Sequence, residues 1–250
     1  MRKKWFVRLM IAIFAVLAAG SGAFVAWAAT PSGTLMDEAR AALQSDELVS
    51  VSTEDWLVFA PKSGIPKAGF IYYPGGRVQA EAYAPTARAL AEAGYLAVIT
   101  PMPLNLAVFN ASAADEVIAK YPEVKRWAIG GHSLGGSMAA RYAAEHLGKV
   151  QGLAIIAAYP EASNDLSGRT DLAVISLYGE RDGLARPSQV EGSKHLLPAN
   201  AQFVKILGGN HAQFGWYGKQ DRDNDATISH AEQQMQVNQA LLSLMLLISE

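Results

Sequence analysis

A serine set between glycines, a carboxylate and an imidazole are the residues of this chain whose types and spacing could do chemistry together. Gly131-His132-Ser133-Leu134-Gly135 follows the apolar run 126–130 and precedes a helix-like stretch over 136–145. A strand that enters a tight turn and leaves as a helix exposes the central hydroxyl of G-x-S-x-G at a sheet edge. That turn forces a strained backbone on Ser133 and tolerates only small neighbours, which Gly131 and Gly135 supply. It also aims the first amides of the helix at the point where negative charge develops in acyl transfer.

A serine hydroxyl is a weak nucleophile, so it needs a base in reach and a third group that fixes the base's tautomer. Asp182 follows an expected strand in Gly179-Glu180-Arg181-Asp182-Gly183, and His211 follows another in Leu207-Gly208-Gly209-Asn210-His211. Both stand where a parallel sheet collects its functional side chains, beyond the carboxyl ends of strands. Glu180 is the rival acid, and Asp182 could instead only cap its own turn. Of the five histidines, His132 precedes Ser133 and points elsewhere, His146 and His195 belong to surface helices, and His230 begins the last helix. None has the strand-end position of His211, and no pair has the H-x-x-x-H spacing of a helical metal site.

The loop Pro74-Gly75-Gly76-Arg77 is placed to supply a second backbone donor, so the expected oxyanion donors are the N–H groups of Gly76 and Leu134. It lacks the Lys and Ser/Thr of a phosphate-cradling loop. By position alone, Arg77, Asn105, Tyr159 and Phe214 are candidate pocket residues. Asp221, Asp223 and Asp225 alternate as calcium ligands do, but without the Gly and closing Glu of an EF-hand, so a solvated loop capping the last helix is expected. No metal and no cofactor are expected.

The elements that must position these residues alternate. Strands are expected over 49–52, 56–60, 68–73, 95–100, 125–129, 152–158, 172–178 and 202–206, and helices over 36–43, 83–93, 112–120, 136–145, 187–196 and 230–248. Continuously apolar strands alternating with helices predict an α/β fold of three layers around a mostly parallel sheet. Only residues 159–171 separate two inner strands, which leaves no room for a lid domain and predicts an open pocket.

Half of the 250 residues are apolar, enough for a sizeable core, and no linker-like tract divides the chain. Four of the 21 basic side chains and none of the 23 acidic ones fall in residues 1–30, so the body is more acidic than the overall charge of −2. That balance gives no support to nucleic-acid binding. Cysteine is absent, which removes disulfides and thiolate metal sites. Arg2, Lys3, Lys4 and Arg8 precede an uncharged stretch over 9–29, long enough to cross a bilayer, with the basic side cytoplasmic and the remainder outside. The rival is a cleaved signal peptide, for which Ala26-Trp27-Ala28 fits the cleavage pattern. The expected organisation is a signal anchor or signal peptide over 1–30, a membrane-proximal connector over 31–48 and one catalytic domain over 49–250, with no basis for an oligomeric state.

Together with Tyr73-Pro74-Gly75-Gly76-Arg77-Val78, Tyr83-Ala84-Pro85, Pro101-Met102-Pro103-Leu104-Asn105-Leu106-Ala107 and Gly208-Gly209-Asn210-His211-Ala212-Gln213-Phe214-Gly215, these motifs resemble the α/β-hydrolases. The likeness is to the small, lidless, dienelactone-hydrolase-like type, and within it to membrane-anchored or exported bacterial hydrolases, from about residue 50 to the end. It implies an α/β-hydrolase fold with Ser133, Asp182 and His211 as the catalytic triad. It further implies a small acyl substrate, an ester before an amide, peptide or thioester, with a non-catalytic envelope binding protein as the alternative class. Dienelactone hydrolases proper use a cysteine nucleophile, which this chain lacks.

Overall fold

Apolar runs without alternation bury both faces of a strand, and the central strands here do so. In the computed structural model, which describes residues 2–250, every residue of β3 (Gly69–Tyr73), β4 (Leu96–Ile99), β5 (Trp127–His132) and β6 (Gly152–Ile156) is buried. Met1, and the side chains of Arg2 and Lys3 at the head of the expected leader 1–30, lie outside the described residues. With β1 (Val49–Ser52), β2 (Leu57–Pro61), β7 (Ala173–Gly179) and β8 (Gln202–Ile206), these strands form one eight-stranded sheet of order β1-β2-β4-β3-β5-β6-β7-β8. The pairs β1–β2 and β2–β4 are antiparallel and the other five are parallel.

Alternation along each strand divides the core in two. Phe70, Tyr72, Ala128, Ala154 and Ile156 meet α3 (Ala84–Glu92) and α7 (His230–Ser249) on one face. Ile71, Tyr73, Ile129, Leu153 and Ile155 meet α4 (Ala113–Lys120) and α5 (Leu134–Glu145) on the other. This is the three-layer α/β-hydrolase architecture expected from the sequence. The strand expected over 125–129 runs on to His132, because its glycines continue the ladder instead of ending it. A Cβ at Gly130 would lie 2.7 Å from Phe70 Cζ and 2.8 Å from Ala154 Cβ, so close packing and not a turn explains that glycine. The helix expected over 187–196 is shorter, α6 (Pro187–Gly192), followed by a 3-10 turn over Lys194–Leu196.

Ahead of the sheet, α1 (Arg2–Ala29) contains a 26-residue segment, Lys4–Ala29, whose most apolar 18-residue stretch has a mean hydropathy of 2.3, long and apolar enough to cross a membrane. The expected connector carries a short helix, α2 (Asp37–Ala42), whose Ala39 and Ala42 are buried. Arg88 of α3 pins it, its Nε donating to the Ala42 carbonyl at 3.0 Å.

Candidate active site

Ser133 sits between β5 and α5 with φ 54° and ψ −123°, a conformation that L-residues adopt only under constraint. Its N–H donates to the Ile156 carbonyl at 2.8 Å, which fixes the turn to the neighbouring strand. The flanking glycines are required by close approach. A Cβ on Gly131 would lie 2.5 Å from the Tyr73 oxygen, and one on Gly135 would overlap the carbonyls of Tyr73 and Pro74. The side chain of Ser133 is left half-buried at the carboxyl edge of the sheet.

Asp182 and His211 come together, and the ring of His211 packs on that of His132, the residue before Ser133. His211 Nδ1 is 2.8 Å from Asp182 Oδ2, with the two residues 1% and 2% exposed. Asp182 Oδ1 accepts from the backbone N–H of Leu184 at 2.8 Å and of Ala185 at 2.7 Å, so the carboxylate is oriented before the imidazole meets it. An ionised carboxylate can only accept, which puts the His211 proton on Nδ1 and leaves Nε2 as a basic lone pair. Nε2 is buried and takes no hydrogen bond, one from the Ser133 hydroxyl included. Such bonds commonly tighten only when substrate is bound. Glu180, the rival acid, is engaged elsewhere: its Oε2 accepts from the Gly208 N–H at 3.0 Å.

His132 does not point away from this pair. Its ring packs on that of His211 with centroids 4.5 Å apart, and its Nδ1 lies 2.9 Å from the Tyr83 hydroxyl. That hydroxyl also accepts from the Gly75 N–H at 3.0 Å, tying the loop after β3 to the histidine before Ser133. Burial first, and the neighbouring His211 second, hold the His132 pKa well below the ordinary imidazole range, so the ring stays neutral.

Among the described residues, no backbone or side-chain acceptor engages the N–H of Gly76 or of Leu134. The two residues are adjacent, since a Cβ on Gly76 would lie 3.3 Å from Leu134 Cδ2. Two free amides beside a serine hydroxyl can stabilise an oxyanion.

The pocket candidates fall in different places. Asn105 has φ 54°, and its carbonyl accepts from the Arg77 N–H at 2.8 Å. Arg77, itself at φ 59°, turns its guanidinium away to stack on Trp27 at 4.7 Å. The Tyr159 hydroxyl accepts from Gln189 Nε2 at 3.1 Å. Phe214 is fully buried and packs on the His132 ring at 5.9 Å, behind the site and not on its open side. A cleft of about 730 Å³ runs along α7 between Trp216 and Leu246, and Ser133 does not line it.

Two positioning residues escaped the sequence reading. Asp223 does not belong to a cap, since Ser229 caps α7 with its side chain accepting from the Glu232 N–H. Its carboxylate instead accepts from Gly183 N–H at 3.0 Å and Ala212 N–H at 2.8 Å, one donor beside Asp182 and one beside His211. Gln233, fully buried on α7, clasps the residue before His211: its Oε1 accepts from Asn210 N–H at 3.0 Å and its Nε2 donates to the Asn210 carbonyl at 2.8 Å. Each is a polar residue in or near the start of the last helix, and nothing local marks its target.

Residues 69–235 match the Alpha/beta hydrolase family, and the chain belongs to that family. Solved structures with the same fold include a candidate dienelactone hydrolase from Klebsiella pneumoniae, 18% identical over 80% of this chain and 97% of that one, with a TM-score of 0.59. A hyperthermophilic esterase from Pyrobaculum calidifontis is 19% identical over 83% and 90%, with a TM-score of 0.58. Est1E from Butyrivibrio proteoclasticus, solved with ferulic acid, is 14% identical over 81% and 98%, with a TM-score of 0.57. No curated protein matches the chain.

Proposed function

We propose that this protein is a serine hydrolase that cleaves a carboxylic ester through Ser133, His211 and Asp182. The observation that carries the reading is the buried 2.8 Å pair of His211 Nδ1 and Asp182 Oδ2 behind a serine held at φ 54°. In the proposed reaction Ser133 Oγ attacks the acyl carbon while His211 Nε2 takes its proton. Asp182 stabilises the imidazolium that forms, and the amides of Gly76 and Leu134 bind the tetrahedral oxygen. His211 then returns the proton to the departing alcohol oxygen, leaving an acyl-Ser133 ester. Water attacks that ester, giving its proton to His211, and the acid leaves as the proton passes back to Ser133. The reaction as written calls on no cofactor.

The same reading keeps α1 as an anchor, with the catalytic domain on the extracytoplasmic side. It is supported by the basic side chains ahead of the apolar segment and by the contacts that residues 24–36 make with the body. Among these, Ser32 N–H donates to the Arg77 carbonyl at 2.7 Å and Met36 N–H to the Trp216 carbonyl at 3.0 Å.

Hydrolysis of a short-chain p-nitrophenyl ester tests the catalytic part. Ser133→Ala is expected to abolish turnover, and Asp182→Asn to lower kcat on the order of 10³–10⁴-fold by releasing the histidine tautomer. Turnover that survives Ser133→Ala, or folded wild-type protein inert to acyl esters, contradicts it.

A further inference from the structure

The end of α1 is seated on the rim of the candidate site. Trp27 lies under the Arg77 guanidinium at 4.7 Å, and Arg77 Nε donates to the Thr30 carbonyl at 3.0 Å. One turn earlier, Phe24 meets Phe109 edge to face at 6.4 Å. Phe109 and its neighbour Val108 are 51% and 46% exposed, on a 3-10 turn just beyond Asn105. A cleft of about 280 Å³, walled by Ala29, Pro31, Pro74, Val78, Met102 and Asn105, joins the end of α1 to the loop that carries Gly76.

The depth of these residues follows from α1. The uncharged stretch over 9–29 is about 32 Å long against a hydrocarbon core of about 30 Å, so with Arg8 at one headgroup layer the last turn of α1 lies at the other. Trp27 with an arginine on its face is an interfacial pair, apolar on one side and charged on the other. Phe24 is about 4.5 Å deeper by helical rise, and Phe109, in contact with it, shares that depth. Gly76, next in sequence to Arg77, then lies at the level where a bilayer lipid carries its ester carbonyls.

The geometry points to a membrane-borne substrate: Phe24, Trp27, Arg77, Val108 and Phe109 form a lipid-facing rim, and the site takes an acyl ester from the bilayer itself. This rests on the hydrolase and anchor readings above. Lipid is the occupant because the exposed apolar pair is continuous with a helix whose most apolar 18-residue stretch is itself unburied.

The full chain, reconstituted in phosphatidylcholine–phosphatidylglycerol vesicles, tests the surface and the substrate separately. With no native cysteine, Phe109→Cys accepts a single environment-sensitive fluorophore. Leu147→Cys is the control, on an exposed side chain ahead of β6 and so at the opposite end of the sheet. The label at 109 is expected to shift to the blue and to be quenched by lipid-borne nitroxide, and that at 147 to do neither. Quenching at neither position overturns the lipid-facing rim, and protection at 109 that instead follows protein concentration assigns the patch to a second copy. Val108→Ser with Phe109→Ser is expected to lower hydrolysis of a fluorogenic phospholipid in the vesicles more than tenfold and to leave that of a soluble short ester within twofold. Equal effects on both esters overturn the substrate assignment. Loss of Ser133-dependent turnover on both esters in the unsubstituted protein counts instead against the hydrolase reading, with the quenching result unaffected.

Discussion

The imidazole of His132 lies against that of His211, ring centroids 4.5 Å apart and planes inclined at 48°. His132 is bonded in turn to Tyr83, whose hydroxyl holds the Gly75 amide. One buried chain of contacts thus runs from the loop that carries Gly76 to the ring that would act as base. Tyr83→Phe keeps the packing and removes the hydroxyl, leaving the Gly75 N–H and His132 Nδ1 unpartnered. A loss of about 1–3 kcal/mol in urea unfolding is expected, together with a lower kcat on a soluble ester. An unfolding curve that matches wild type would show that the hydroxyl does not hold these groups.

His132 also sets a pH dependence of stability. Its folded pKa is depressed by burial, while in the unfolded chain it binds a proton below about pH 6.5. The unfolded state therefore holds more protons on the acid side, and stability present above that pH is lost as the pH falls. His230, also depressed by burial, adds in the same direction. Urea midpoints taken between pH 7.5 and pH 5 are expected to fall with pH, and His132→Gln to flatten the fall by up to about 1.4 kcal/mol per pH unit. An unchanged slope in the variant would mean that the buried ring titrates as it does in the unfolded chain.

Asp223 ties the loop of Asp182 to that of His211 through two backbone amides, at 3.0 and 2.8 Å. Asp223→Ala is expected to lower kcat at least tenfold with little change in KM, because it loosens the acid–base pair without touching substrate. Asp223→Asn, which keeps an amide oxygen for one of the two donors, is expected to recover part of the loss. The same assignment predicts a Tm indifferent to calcium or to a chelator, and a calcium-dependent rise in Tm would return the aspartates to metal binding.

Much of this site was legible because each of the three residues proposed to react carries a local signal. Strand, tight turn and helix bracket Ser133, and the loops of Asp182 and His211 directly follow apolar strands. What sequence reading missed lies in contacts between segments far apart. Asp223 is one of three alternating aspartates, and only the fold selects it from Asp225, which pairs with Lys219 at the surface. His132 was within reach of simple alternation. It shares parity with Ala128 on β5, whose side chain faces the α3/α7 layer, and the loop after β8 brings His211 down on that same side. A strand expected to end at Ile129 stops three residues short of His132 and so leaves that alternation out of view.

The proposed function stands or falls on Ser133 as a nucleophile activated by His211. The most direct measurement is the mass of the protein after reaction with diisopropyl fluorophosphate, followed by peptide mapping. A single phosphoryl adduct is expected on the peptide containing Ser133, absent from folded Ser133→Ala and formed much more slowly in His211→Ala. An adduct that persists in Ser133→Ala, or a folded wild-type protein that takes none, would contradict it.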